Sequence, residues 1–280
     1  MTHPVPPKPS AWITATARAA HQLYDAPLVL NDPLALRILG AEHEAELRAD
    51  AQRQQHPLAV AMRATMAVRA RLAEDSIQGV QQYVILGAGL DTYAYRESLL
   101  SMDSRLCGND GRVYEVDLPA MQRWKRDCLC AAGIAEPEHV RYVASDFSEA
   151  SLMEDLLQAG FDAAQPACFS WLGVSMYLKP DQVMQTLGDI ANCAPGSSIV
   201  FDYCVQRQHL TAQEQAGLEF IAVSLAAQGE HLHSSFEPQL LEHMLRYQGF
   251  CHVEHFGPEQ LGALYGAQLS GIFRLIRATV

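Results

Sequence analysis

The sequence predicts an α/β fold, with a mostly parallel central sheet and helices on both faces. Three observations predict it. From Gln82 onward, short β-branched or apolar runs alternate with helical stretches, which is the pattern of parallel strands joined by crossover helices. The first run ends in Gly-Ala-Gly, where an open parallel sheet turns from strand into helix. Ahead of it, residues 11–78 read as helical throughout, so a helical N-terminal extension precedes the sheet.

The elements follow in order. The opening "MTHPVPPKPS" is proline-rich and reads as a flexible arm over residues 1–10. Ser10 stands where an N-cap belongs for "SAWITATARAAHQLY". Breaks fall near Pro27, Asp32-Pro33 and His56-Pro57. Strands are expected at Tyr83–Leu86, Arg112–Val116, Val140–Ala144, Ala167–Trp171 and Ser198–Tyr203. Helices are expected at Leu118–Ala132, Ser148–Ala159 and Pro180–Asn192. The polar, glycine-bearing Ser101–Arg112 reads as a surface loop. Residues 206–237 interrupt the alternation with helical sequence containing "GEHLHSSF", and their order suggests a lid insertion near the carboxyl ends of the strands. "HVEHF" and "GIFRLIRA" complete the chain as an antiparallel pair at one edge. With 280 residues, 49% of them hydrophobic, residues 11–280 fit one large domain.

Composition narrows the function classes. A formal net charge of −12 argues against a nucleic-acid or membrane-surface partner, both of which attract a cationic footprint. The seven cysteines are scattered; Cys128 and Cys130 form a C-x-C within a helical stretch, not a spaced zinc pair, and no metal site is expected. Without a signal peptide they read as reduced cysteines of a cytoplasmic protein. No apolar run approaches the roughly 18 residues of a membrane span.

The chemistry gathers at strand ends. Gly87 and Gly89, flanking Ala88, let the main chain turn tightly and let a flat or charged ligand approach it. A bare β–α turn is the plain alternative. The dinucleotide fingerprint wants glycine at its sixth position, but here Thr92 stands there, and Asp91 puts a negative charge where a pyrophosphate would lie. Phosphate is disfavoured, whereas an amine or sulfonium tolerates that carboxylate. Asp91 also suits an N-cap of the next helix. Asp117 closes the second strand in "RVYEVDLP", ahead of Pro119 at a helix N1 position. It can accept from both hydroxyls of a ribose, with Glu115 as the competing acid. Asp146-Phe147 ends the third strand and suits an adenine, although Asp146 or Ser148 can equally cap a helix. Together these describe an adenosine site without phosphate, for which S-adenosylmethionine is the common cofactor. Its carboxylate wants an arginine, and "MRATMAVRARLAED" offers Arg63, Arg69 and Arg71.

On "RARLAED", "QYVILGAGLDTYAYR", "YEVDLPAMQRWKR", "SDF", "WLGVSMYL" and "FDY", taken in that order, the chain resembles the leucine carboxyl methyltransferase family of S-adenosylmethionine-dependent enzymes. The bacterial members described only as methyltransferases are the nearest branch. The resemblance covers almost the whole chain and implies a Rossmann-like methyltransferase fold. It implies that Arg69 holds the cofactor carboxylate, that Gly87–Gly89 form the cofactor turn, that Asp117 binds ribose and that Asp146 with Phe147 contacts adenine. The chain departs from the family pattern in three places. Leu172 stands where the family has a glutamate, five residues before Tyr177. A basic residue of the N-terminal helix has only Arg18 nearby. The segment between "RARLAED" and the first strand is short, which keeps Arg63 as an alternative to Arg69.

These readings lead to an S-adenosylmethionine-dependent methyltransferase acting on oxygen, with a carboxylate or hydroxyl of a small-molecule or peptide acceptor. A carboxylate needs no base, whereas a hydroxyl usually does. No catalytic base is nominated. His231 and His233 form H-x-H in the insertion and suit a base, half a metal site or plain surface residues. Tyr177 can orient an acceptor or serve as pocket wall, and Trp171 reads as wall or core. The alternatives are a nicotinamide dinucleotide oxidoreductase, disfavoured by Thr92 and Asp91, and a non-catalytic cofactor-binding scaffold, favoured by Leu172.

Overall fold

A computed structural model describes residues 6–77, 79–96, 111–149 and 152–280. The helical extension comprises α1 (Pro9–Tyr24), α2 (Ala35–Leu39), α3 (Ala41–Ala49), α4 (Ala51–Gln54) and α5 (Pro57–Asp75). Then follow β1 (Gln82–Leu86), α6 (Tyr93–Arg96), β2 (Arg112–Asp117), α7 (Pro119–Ala131), β3 (Val140–Ala144), α8 (Leu152–Gln158), β4 (Ala167–Trp171), α9 (Pro180–Ala191) and β5 (Ser198–Cys204). The chain continues through α10 (Ala212–Ala226), α11 (Pro238–Gln248), β6 (His252–Phe256), α12 (Pro258–Tyr265) and β7 (Phe273–Thr279). The expected strands and the central helices are present, with shifts of one to four residues at their ends. Most of the expected 101–112 loop lies outside the described residues.

The seven strands run in the order β3-β2-β1-β4-β5-β7-β6. β1 to β5 are parallel, and β7 enters antiparallel between β5 and β6. The two late strands therefore pair at one edge as expected. β1 and β4 are buried along their whole length, as strands covered on both faces must be. Alternate residues serve opposite faces. Val84 and Leu86 join the core beneath α8, α9 and α11, while Tyr83 and Ile85 join the one beneath α1, α2 and α7. Helix α9 shows how its sequence fits this: Val183, Leu187 and Ile190 recur at i, i+4 and i+7 and are all buried.

Two expectations at the N-terminus need correction. Helix α1 starts at Pro9, so residues 9 and 10 of the expected arm are helical, and the N-cap residue is Lys8 rather than Ser10. The fixed φ of proline favours N1, which pushes Ser10 inside the first turn. There its backbone N–H and hydroxyl donate to the buried Glu230 at 2.9 and 2.8 Å. The 206–237 segment folds as a short 3₁₀ turn (Arg207–His209), helix α10 and an irregular return. No side chain of α10 is buried.

Candidate functional site

Strand order reverses between β1 and β4, which makes the gap beyond their carboxyl ends the place where an open sheet can hold a ligand. A cavity of about 1040 Å³ opens there. Arg69, Gly87, Ala88, Gly89, Leu172 and Tyr177 all border it. In sheet order the strand ends carry Asp146, Asp117, the glycine turn, the Leu172–Tyr177 segment and Asp202. Five strands at their usual spacing span about 19 Å.

The glycine turn is held by β2. Gly87 and Ala88 donate to the Val116 carbonyl at 2.8 and 3.1 Å, and Gly89 donates to Asp117 Oδ2 at 2.7 Å. Both glycines have positive φ, 71° and 45°. Their reasons differ. A Cβ on Gly87 would lie 2.3 Å from Val174 Cγ2, so the protein's own side chain occupies that face of the turn. A Cβ on Gly89 would meet only ordinary contacts, which leaves its conformation as the reason for glycine.

Asp117 is buried and accepts from Leu118 N–H at 2.8 Å as well as from Gly89. Burial raises its carboxyl above the ordinary range, and the two N–H bonds only partly oppose this. Glu115, the competing acid, is taken by the buried Lys125 at 2.7 Å and by Tyr95. It therefore faces α7 rather than the cavity. Asp91 also has its charge answered. Its Oδ2 pairs with Arg18 at 3.0 Å and its Oδ1 accepts from Tyr93 N–H at 2.7 Å. Burial alone would raise this carboxyl, but Arg18, Lys125 and Arg96 outweigh it and hold it below the usual value. Arg18 further binds Asp32 at 2.7 Å.

The arginines separate cleanly. Arg63 pairs with Asp25 at 2.8 Å and stacks over Tyr24, away from the turn. Arg71 pairs with its helical neighbour Asp75. Arg69 alone of the three borders the cavity. Its Nη1 donates to Asp202 Oδ2 at 2.9 Å, while Asp202 Oδ1 accepts Gly173 N–H at 2.7 Å. A Cβ on Gly173, whose φ is 72°, would come within 2.9 Å of Arg69 Nη2, so that glycine lets the guanidinium lie on the main chain. Asp202 and Gly173 carried no assigned role in the sequence. A signal was present in each, because an acid interrupts the apolar run near the end of β5 and a glycine follows β4 as glycines follow β1.

Asp117, Asp146 and Phe147 all lie outside the border of this cavity, Asp117 reaching it only through its bond to the Gly89 N–H. Asp146 is exposed, and its Oδ1 accepts from the Ser148 N–H and hydroxyl at 2.9 and 2.8 Å. Phe147 packs on the fully buried Trp171, ring centroids 6.0 Å apart. Leu172 packs against the cluster around Val200 and Leu275. Tyr177 adjoins Ser10 and Glu230, and burial raises its phenol, which keeps it protonated. His231 and His233 are both exposed, with rings 6.2 Å apart. No group of three metal-ligating side chains gathers among the described residues. No helix among them is long and apolar enough to cross a membrane.

Two of these groups keep hydrogen-bonding capacity that a ligand could use. Arg69 has only Nη1 engaged among the described residues, which leaves Nη2 and Nε for a carboxylate. Asp117 retains lone pairs beside the turn, since each carboxylate oxygen accepts twice.

Comparison with known proteins adds an independent line. The family model for leucine carboxyl methyltransferase matches residues 11–191. A Bacillus subtilis (strain 168) protein named "Putative S-adenosyl-L-methionine-dependent methyltransferase YktD" is 31% identical, covering 90% of this chain and 89% of that protein. A Mycobacterium marinum protein, "Putative S-adenosyl-L-methionine-dependent methyltransferase", is 34% identical over 68% of this chain and 61% of its own length. Among solved structures, "a putative methyltransferase from Thermobifida fusca" is similar with a TM-score of 0.56 at 19% identity, covering 99% of both chains. A Streptomyces avermitilis protein of the "duf574 family" follows at a TM-score of 0.55 and 15% identity, covering 94% and 96%. Both structures support the fold alone.

Proposed function

The chain belongs to the leucine carboxyl methyltransferase family and is an S-adenosylmethionine-dependent methyltransferase; from that premise we propose that it methylates oxygen on an acceptor that arrives already ionised, with a carboxylate as the simplest case. One observation carries this reading. Among the described residues bordering the cavity there is no histidine or lysine, and the aspartates and glutamates there already have partners. Tyr177 is held protonated, so it suits orienting an acceptor oxygen rather than taking its proton. A carboxylate asks for no base.

When bound, the cofactor supplies an electrophilic methyl group on its sulfonium. The chain's own task is then position, which by itself can lower the barrier of an in-line displacement substantially. Arg69, fixed by Asp202 and lying on Gly173, would hold the cofactor carboxylate. The Gly87–Ala88–Gly89 main chain would carry the amino-acid and sugar junction, and Asp117 would accept from the ribose hydroxyls. Asp146 would accept from the adenine amine, with Phe147 against the ring. Lid closure by residues 206–237 over the acceptor side of the cavity would exclude water.

Calorimetric titration with S-adenosylhomocysteine tests the reading. Asp117→Ala is expected to weaken binding at least tenfold, the loss of a charged acceptor from buried hydroxyls. The sign of the pH dependence follows from the raised Asp117 pKa. Binding should weaken on acidification at a higher pH than an ordinary aspartate would give, and Asp117→Asn should flatten that profile. The unliganded fold should show the opposite sign, because a raised carboxyl costs stability as pH rises from its unfolded to its folded value. Equal affinity in Asp117→Ala and the parent would remove the ribose assignment.

A further inference from the structure

The charges on the cavity wall cancel within the wall. Arg18 is held by Asp32 and Asp91, Glu74 by Arg96, and Arg69 by Asp202. Glu214 accepts from the N–H groups of Thr211 and Gly271. Three polar side chains that border the cavity, on α5, on α10 and just after α10, are turned to their own backbones, while Gln213 on α10 is not. Thr65 donates to the Ala61 carbonyl at 2.8 Å, Ser224 to Phe220 at 2.8 Å and Gln228 to Ser224 at 3.1 Å.

What these helices offer instead is carbon. Phe220 and Leu58 are 60% and 58% exposed, and Met62 and Ile13 are also exposed; all four border the cavity, as do the half-buried Ile221 and Leu225. Clustered exposed apolar side chains mark a place that something apolar covers. Ile13, Leu58 and Met62 also border a second cavity of about 1070 Å³ beside α1, α3, α4 and α5. The apolar wall therefore continues past the first cavity. An enclosed peptide would bring an N–H and a C=O per residue, each needing a partner, and Thr65, Ser224 and Gln228 already direct donors to their own main chain.

We propose that the methyl acceptor is a small molecule with an elongated apolar body, carried by Phe220, Ile221 and Leu225 and running over Ile13, Leu58 and Met62 toward the second cavity. A peptide is the occupant this excludes. The proposal rests on the methyltransferase reading of the same cavity, and it adds the acceptor's class.

The test uses the full chain saturated with S-adenosylhomocysteine and the neutral fluorophore N-phenyl-1-naphthylamine. The fluorophore should bind saturably. Straight-chain alkanoates and the matching alkan-1-ols, kept below micelle formation, should displace it, tightening by up to about fourfold per methylene. A hexapeptide ending in leucine should not displace it. Phe220→Glu, on a helix that buries no side chain, should weaken fluorophore binding at least tenfold and leave S-adenosylhomocysteine affinity unchanged. The S-adenosylhomocysteine titration is read first, and its failure overturns the functional reading itself. Normal titration followed by unsaturable fluorophore, by affinity independent of chain length, by an unaffected Phe220→Glu or by displacement with the peptide overturns this inference alone.

Discussion

The two sides of the cavity are built on opposite terms. On the sheet side, main chain and charge are locked together: β2 holds the glycine turn, Asp202 and Gly173 seat Arg69, and Arg18 answers Asp91. On the side of α10 no side chain is buried, and Phe220 and Val223 stand in the open. A surface that recognises one fixed ligand profits from preorganised polar groups, because they need no rearrangement on binding. A surface that meets a variable apolar body needs only carbon and room. The contrast assigns the constant part of the reaction to the sheet and the variable part to the insertion.

The largest effect that would break this contrast is expected at Arg69. Arg69→Met should weaken S-adenosylhomocysteine by about thirtyfold or more, the range of a charged hydrogen bond lost from a buried site. Affinity for 5′-methylthioadenosine, which lacks the carboxylate, should stay within about twofold. Equal losses for the two ligands would mean that Arg69 supports the fold and not the ligand.

A smaller effect, on stability, should come from the turn. Gly87→Ala combines a positive φ with a Cβ 2.3 Å from Val174 Cγ2, and should cost about 2–4 kcal/mol in urea unfolding. Val174→Ala in the same chain should recover the steric part and leave the conformational part. The coupling between the two should reach about 1–2 kcal/mol, and simple additivity would deny that Val174 is why this position is glycine.

The smallest effect belongs to the other side. Glu230→Gln keeps the shape but removes the charge at the first turn of α1, worth about 1 kcal/mol or less. Amide exchange in residues 212–237 should quicken severalfold while the sheet is unchanged. Faster exchange in β1 and β4 instead would show the two sides to be one cooperative unit.

The periodic parts of the fold were legible because local sequence dictates them. Val183, Leu187 and Ile190 announce α9, and the fully apolar "YVIL" announces a strand covered on both faces. The Gly87–Gly89 turn and the place of Asp117 beside it were legible for a related reason: in a parallel sheet, chain position after a strand is also position in space. What could not be read were pairings made across the chain. Val174 and Gly87 are partners only because β4 lies beside β1. Lys125 takes Glu115 out of contention through a tertiary contact with no sequence periodicity. Asp202 and Arg69 are 133 residues apart, and nothing local in "FDY" names an arginine. Ser10 was misread because an N-cap serine and a serine at the second helical position look alike until the acid that binds the latter is found.

The Ser10–Glu230 contact joins positions 220 residues apart, and its location bears on how the protein is handled. An affinity handle fused ahead of α1 would lead into this clasp, beside the cavity that Ser10 borders. A handle placed after β7 departs from Val280, whose N–H donates to the Ser197 carbonyl just before β5, at the end of the sheet opposite the carboxyl ends of the parallel strands. Preparations tagged at one end or the other are therefore not equivalent reagents, and a difference in ligand affinity between them would report on the clasp before any residue is changed.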